Sequence, residues 1–156
     1  MNHSIKACPG TYALILRAEE SLDIQVGKLG KLHLIPGFYV YCGSARGPGG
    51  VKARVDRHLR RRKKRRWHID YLSTAIPIVD VWYSYAEHWH ECHWAESVIT
   101  WAGDQVPFTG FGSSDCRCDA HLVRLQNQPG AAEFERRLSP QGVSREATIA
   151  HLLAGP

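Results

Sequence analysis

The sequence predicts one mixed α+β domain in which short strands and helices alternate, and three stretches carry that prediction. Residues 11–17 (TYALILR) form an apolar, β-prone run. Residues 22–26 and 31–35 alternate on either side of GKLG, the pattern of a hairpin. Val51, Val55 and Leu59 recur every four residues and so mark the buried stripe of a helix. At 156 residues the chain can bury one core and is too short for two ordinary domains.

The remaining elements follow in order. Pro36-Gly37 turns the chain into a strand over residues 38–42, with Tyr39 and Tyr41 on one face and Phe38 and Val40 on the other. Ile69, Tyr71 and Leu72 predict a short second helix, and residues 78–83 (IVDVWY) predict a strand. Residues 87–102 read as a helix with Cys92, Ala95, Val98, Ile99 and Ala102 inward. A loop over 107–118 and a strand over 121–125 come next, and the tail from Pro129 is weakly helical. The expected division is a domain over residues 1–125 with an extension over 126–156 packed on it.

Charge is sharply segregated. Residues 52–66 hold ten Lys or Arg and one Asp, a local +9, so the rest of the chain carries −4 of its net +5. Such a block repels itself and answers to an anionic partner rather than to the fold. DNA is the expected partner, with RNA also open. No apolar run approaches the roughly 18 residues of a membrane helix, and MNHSIKACPG has no apolar segment of a secretory leader. The expected location is the cytoplasm, with the five cysteines reduced.

Between the tyrosine strand and the first helix lies GSARGPGG, residues 43–50. It lacks the Gly-Lys-Ser/Thr ending of a nucleotide loop and the spaced glycines of a dinucleotide site, which argues against a nucleotide cofactor. Arg54 and His58, four residues apart, project from one helix face beside the buried stripe, towards the strand of Tyr41.

These pieces stand in an order: Gly10-Thr11-Tyr12, then Tyr41-Cys42-Gly43, then Arg54-x3-His58, then a helix with Glu96. In that order they resemble the GIY-YIG nucleases. The longer blocks VGKLG, GFYVYCGSARGPGGVKARVDRHL, RWHIDYL and GFGSSDCRCDAHL are similar to a stand-alone branch of that superfamily (Uri-type, DUF123), described largely as predicted endonucleases. Thr11 and Cys42 stand where the name-giving motif has isoleucine, and the hairpin lengthens the gap between the two tyrosines.

The resemblance implies a small antiparallel sheet flanked by helices, with an extra hairpin and a C-terminal extension. It also implies a metal-dependent endonuclease that hydrolyses phosphodiester bonds in DNA. On that reading Glu96 holds magnesium, or manganese, through its carboxylate. Arg54 clamps phosphate with a guanidinium fork that stays charged. Tyr12 orients or deprotonates the water, Tyr41 holds the phosphate or the water, and His58 assists proton transfer. A phenol titrates near pH ~10, so a basic Tyr12 requires cationic surroundings. Gly43 lets the backbone pass close to the phosphate. Lys52, Arg57, Arg60, Arg61, Arg62, Lys63, Lys64, Arg65 and Arg66 bind nucleic acid without reading its sequence. The alternative is a nucleic-acid-binding module of the same fold without efficient cutting. Glu91, five residues before Glu96 and so on a different side of the helix, is read as structural.

A second constellation is Cys116-x-Cys118-x2-His121, three soft ligands in six residues, with Cys92 or a histidine as a fourth for zinc. The spacing is tighter than the usual zinc pair and no second pair is in register. A packed thiol cluster, rather than zinc, is the expectation.

Overall fold

The computed structural model describes residues 5–60, 62–86, 91–102, 111, 121–138 and 150–153. In chain order its elements are β1 (Gly10–Ala18), β2 (Leu22–Val26), β3 (Gly30–Leu34), β4 (Gly37–Ala45), α1 (Gly50–Leu59) and α2 (His68–Ser73). They continue with β5 (Ile78–Ser84), α3 (Glu91–Ala102), β6 (Leu122–Leu125), α4 (Ala131–Leu138) and β7 (Ala150–Leu153). Among the described residues, five strands form one antiparallel sheet in the order β6-β4-β1-β5-β7. β2 and β3 form the expected hairpin as a separate two-stranded sheet.

The central strand explains the layering. β1 is apolar at nearly every position because both of its faces are covered. Tyr12, Leu14 and Leu16 point into one core with Tyr39, Tyr41, Val51, Val55, Ile69 and Leu72, so α1 and α2 lie on that face. Ala13 and Ile15 point into the other with Val40, Cys42, Trp82, Trp94, Ala95, Val98 and Phe134, so α3 and α4 lie on the opposite face. These two faces decide which side chains can meet.

Several expectations change in detail. The inner side of α1 is Val51, Val55 and His58, whereas Leu59 is 38% exposed. The helix stops there, since Arg60 turns to an extended backbone. The basic run is therefore a connection between α1 and α2 and not a continuation of the helix. The glycines before α1 serve the turn itself. Gly50 has φ 60, and a Cβ there would lie 2.5 Å from the carbonyl carbon of Cys8. The tail has a clear place: Phe134 of α4 stacks on Trp82 at 4.8 Å and meets Trp94 edge-on at 5.1 Å, while β7 extends the sheet beyond β5. Residues 87–90 of the expected third helix, and the expected loop at 107–118 apart from Phe111, lie outside the described residues. Among the described residues no helix is long and apolar enough to cross a membrane.

Candidate functional site

Tyr12 sits mid-sheet, paired with Gly43 on β4 and Tyr83 on β5. Its ring lies across Gly43, where a Cβ would come within 2.5 Å of the phenol's Cζ and oxygen. The missing side chain of Gly43 thus makes room for Tyr12. The Tyr12 hydroxyl lies 2.7 Å from Nε2 of His58 on α1. The Arg54 guanidinium, one turn earlier, bears on that oxygen with its positive charge. In the tautomer of His58 that carries its hydrogen on Nδ1, the phenol donates its proton to Nε2. Nδ1 of His58 is buried without a hydrogen-bond partner.

Aromatic rings enclose this pair. Tyr41 lies with its ring centroid 6.5 Å from that of Tyr12 and 6.3 Å from that of His58. Trp67 flanks His58 at 6.0 Å, and Phe111 meets Tyr41 edge-on at 6.2 Å. Tyr12 and His58 are each 1% exposed, and Tyr41 9%. Arg54 is half-buried and reaches the surface over the Trp67 indole, 4.6 Å from its centroid.

Burial sets the proton inventory. It pushes the Tyr12 phenol well up, with Arg54 opposing, and raises Tyr41 likewise. It pulls His58 down from 6.5 to about 3, with the Lys63 ammonium adding to the effect. The resting site is a neutral phenol bonded to a neutral imidazole. Linkage gives the sign of a pH effect. Below pH 6.5 the unfolded histidine takes a proton that the folded one refuses down to about 3, so stability falls as pH drops through that window. His58→Gln is expected to flatten this part of the curve of melting temperature against pH; an unchanged acid slope would show that His58 does not carry it.

The basic run divides into charges paired within the fold and charges exposed on its surface. Arg57 makes a two-pronged pair with Asp70, 2.8 and 2.9 Å, and stacks on Trp67 at 4.2 Å. Lys63 donates to the carbonyl of His58 at 2.5 Å, closing the C-terminus of α1. Lys52 pairs with Asp56 at 2.8 Å. Arg57 and Lys63 are thus tied into the fold while remaining partly exposed. Arg60, Arg62, Lys64, Arg65 and Arg66 are exposed, Arg65 lying over the Tyr71 ring at 5.5 Å, and Arg61 lies outside the described residues.

Asp70 and Trp67 are what the sequence reading missed. Asp70 is fully buried and its Oδ2 accepts the backbone N–H of both Arg66 and Trp67, at 2.8 and 2.9 Å. Burial alone would raise its carboxyl, but Arg57 and the two N–H groups outweigh that and hold it low. The available signal was one acid, three residues into a helix, directly after a run of cations.

Glu96 is not brought to the cluster. α3 turns Trp94, Ala95 and Val98 to the sheet, which leaves Glu96 exposed on the outer side of a helix covering the face opposite Tyr12. Glu91 is the acid of α3 that faces inward: half-buried, it bears on Cys42 and His121. Cys92 is disulfide-bonded, not a free thiol as expected, and lies 3.6 Å from His121 Nε2. Cys116 and Cys118 lie outside the described residues.

No curated protein and no solved structure matches the chain. A family profile, described as a domain of unknown function, matches residues 11–141, from β1 past α4 and across the boundary expected at residue 125. The chain therefore belongs to the DUF123 family, a domain of unknown function.

Proposed function

We propose that this protein binds DNA through the exposed cations between α1 and α2 and hydrolyses its phosphodiester backbone, as a GIY-YIG-like endonuclease. One observation carries the reading: the Tyr12 hydroxyl lies 2.7 Å from His58 Nε2, with the Arg54 charge bearing on it. Phosphodiester hydrolysis needs a cation on the phosphate and a group that can move the proton of an attacking water. Arg54 is the cation, already oriented by Trp67. Tyr12 and His58 are the proton path: as Tyr12 takes the water's proton, its own passes to Nε2. In the closed site burial keeps the proton on Tyr12, and water entering with the phosphate relieves burial of both groups.

Magnesium, implied by the resemblance, does not fit the described cluster. Glu96 lies on the far face, and both oxygens of Asp70 are taken by Arg57, Arg66 and Trp67. No step is routed through it. The same two facts, with the enclosure of Tyr12, favour the second reading, a nucleic-acid-binding module.

A cleavage screen over labelled single-stranded, duplex and branched DNA and RNA, with magnesium, with manganese and with a chelator, tests the proposal. Cutting of DNA supports it; binding without cutting under every condition selects the module. Glu96→Gln is expected to cut as the unaltered protein does, and a loss of two orders of magnitude would restore the metal role that the resemblance gives Glu96. Binding has its own expected result. Replacing Arg62, Lys64, Arg65 and Arg66 with alanine lowers the slope of affinity against salt by about one for each phosphate no longer neutralised. Lys63→Ala leaves that slope and lowers stability instead. A quadruple variant with an unchanged slope places the interface elsewhere.

A further inference from the structure

The β2–β3 hairpin is a small sheet of its own with an apolar inner side. Val26 and Leu34 are buried in the core that holds Ile69 and Leu72 of α2, and Ile24 and Leu32 pack against it. Alternation along the two strands turns Asp23, Gln25, Lys31 and His33 outward. At the turn, residues 27–29 meet Tyr71 of α2: a Cβ on Gly27 would lie 3.2 Å from the phenol oxygen. The Arg65 guanidinium lies over the same ring at 5.5 Å. Tyr71 thus joins the hairpin turn, with its exposed Lys28, to the cations of the α1–α2 connection. Trp67, which carries Arg54 at 4.6 Å, stands four residues earlier, about one helical turn away.

Charge on the hairpin is polarised in the same sense. Lys28 and Lys31 stand at the turn, whereas Glu19, Glu20 and Asp23 stand at the opposite end. Asp23 pairs with His33 and Glu19 with Arg17, and among the described residues neither lysine is ion-paired. We propose that the hairpin turn is a second arm of the nucleic-acid surface, in which Lys28 and Lys31 hold the phosphate backbone beyond the stretch held by the α1–α2 connection. This rests on the binding half of the proposed function and lengthens its footprint. Each strand carries a phosphate per about 3.4 Å of duplex, so the step of about 5.4 Å from Trp67 to Tyr71 covers about one or two nucleotides, and the turn continues that line. An ammonium meets phosphate as a point charge and reads no base. Because the hairpin is already seated on the core, little backbone ordering opposes binding.

The test measures affinity against salt for the full chain on labelled duplex and single-stranded DNA. Lys28→Ala with Lys31→Ala is expected to lower the slope by about 1.8 on duplex or about 1.4 on single strands, the loss of two phosphate contacts. Arg136→Ala with Arg137→Ala removes two charges from α4, on the opposite face of the sheet, and is expected to leave the slope unchanged. An equal fall in that control makes the effect one of net charge and overturns the arm. An unchanged slope in the lysine variant, with a lowered one when Arg62, Lys64, Arg65 and Arg66 are replaced, overturns the arm and leaves the proposed function standing. A failure of the unaltered protein to bind either DNA overturns both. Should the lysine variant not fold, acetylation of the unaltered protein by an amine-reactive ester decides. Slower reaction of Lys28 and Lys31 with DNA bound supports the arm, and equal rates with and without DNA reject it.

Discussion

Tyr12→Phe is expected to lower DNA cleavage by about two to three orders of magnitude, while affinity for DNA stays within a factor of about three. The hydroxyl lies 2.7 Å from His58 Nε2 under the influence of the Arg54 charge, so removing it breaks the proton path and leaves the cation in place. The exposed cations proposed to bind the backbone lie on the connection after α1, away in sequence from Tyr12 on β1. The ring itself stays, so its packing across Gly43 is kept. The unpartnered imidazole nitrogen costs about 1–3 kcal/mol, which a domain of this size survives. Arg54→Ala separates the roles from the other side, weakening both binding and cleavage. Cleavage by Tyr12→Phe at the rate of the unaltered protein would remove Tyr12 from the chemistry. Because Tyr12 and His58 act in one step, the losses in Tyr12→Phe and His58→Gln are expected not to multiply in the double variant.

Asp70→Ala is expected to cost about 3–5 kcal/mol of stability, a fall of about 6–20 °C in melting temperature. The carboxylate is fully buried and serves the Arg57 guanidinium and two backbone N–H groups at once. Its removal leaves a cation and two donors unsatisfied around Trp67. Since Arg57 keeps 17% side-chain exposure, water recovers part of the loss and places the result toward the lower end. The paired double variant Asp70→Ala with Arg57→Met is expected to regain much of it, because no buried charge is then left alone. A melting curve within 2 °C of the unaltered protein for Asp70→Ala would show that this pair does not hold α1 to α2. The carboxyl is held low, so its contribution is present above the unfolded carboxylate range and is lost as pH falls through the folded value. That adds to the acid loss from His58.

The sequence by itself determined most elements and the inner side of most of them. A two-residue period placed Tyr39 and Tyr41 together, and a four-residue spacing aimed Arg54 and His58 back at the tyrosine strand; both arrangements stand in the fold. These are local facts, set by backbone geometry within one element. The tertiary structure alone decided which face of the sheet each helix covers. Periodicity says which side of α3 is buried and nothing about what it is buried against, so Glu96 could be set beside Tyr12 on paper and lie across the sheet in the molecule. The same limit hid β7, whose pairing with β5 joins segments far apart in sequence, and Asp70, whose partner Arg57 is 13 residues away across a turn. The exposure of Leu59 has a related cause. Its spacing fits the buried stripe, but α1 ends at that residue and the inward place in the last turn goes to His58.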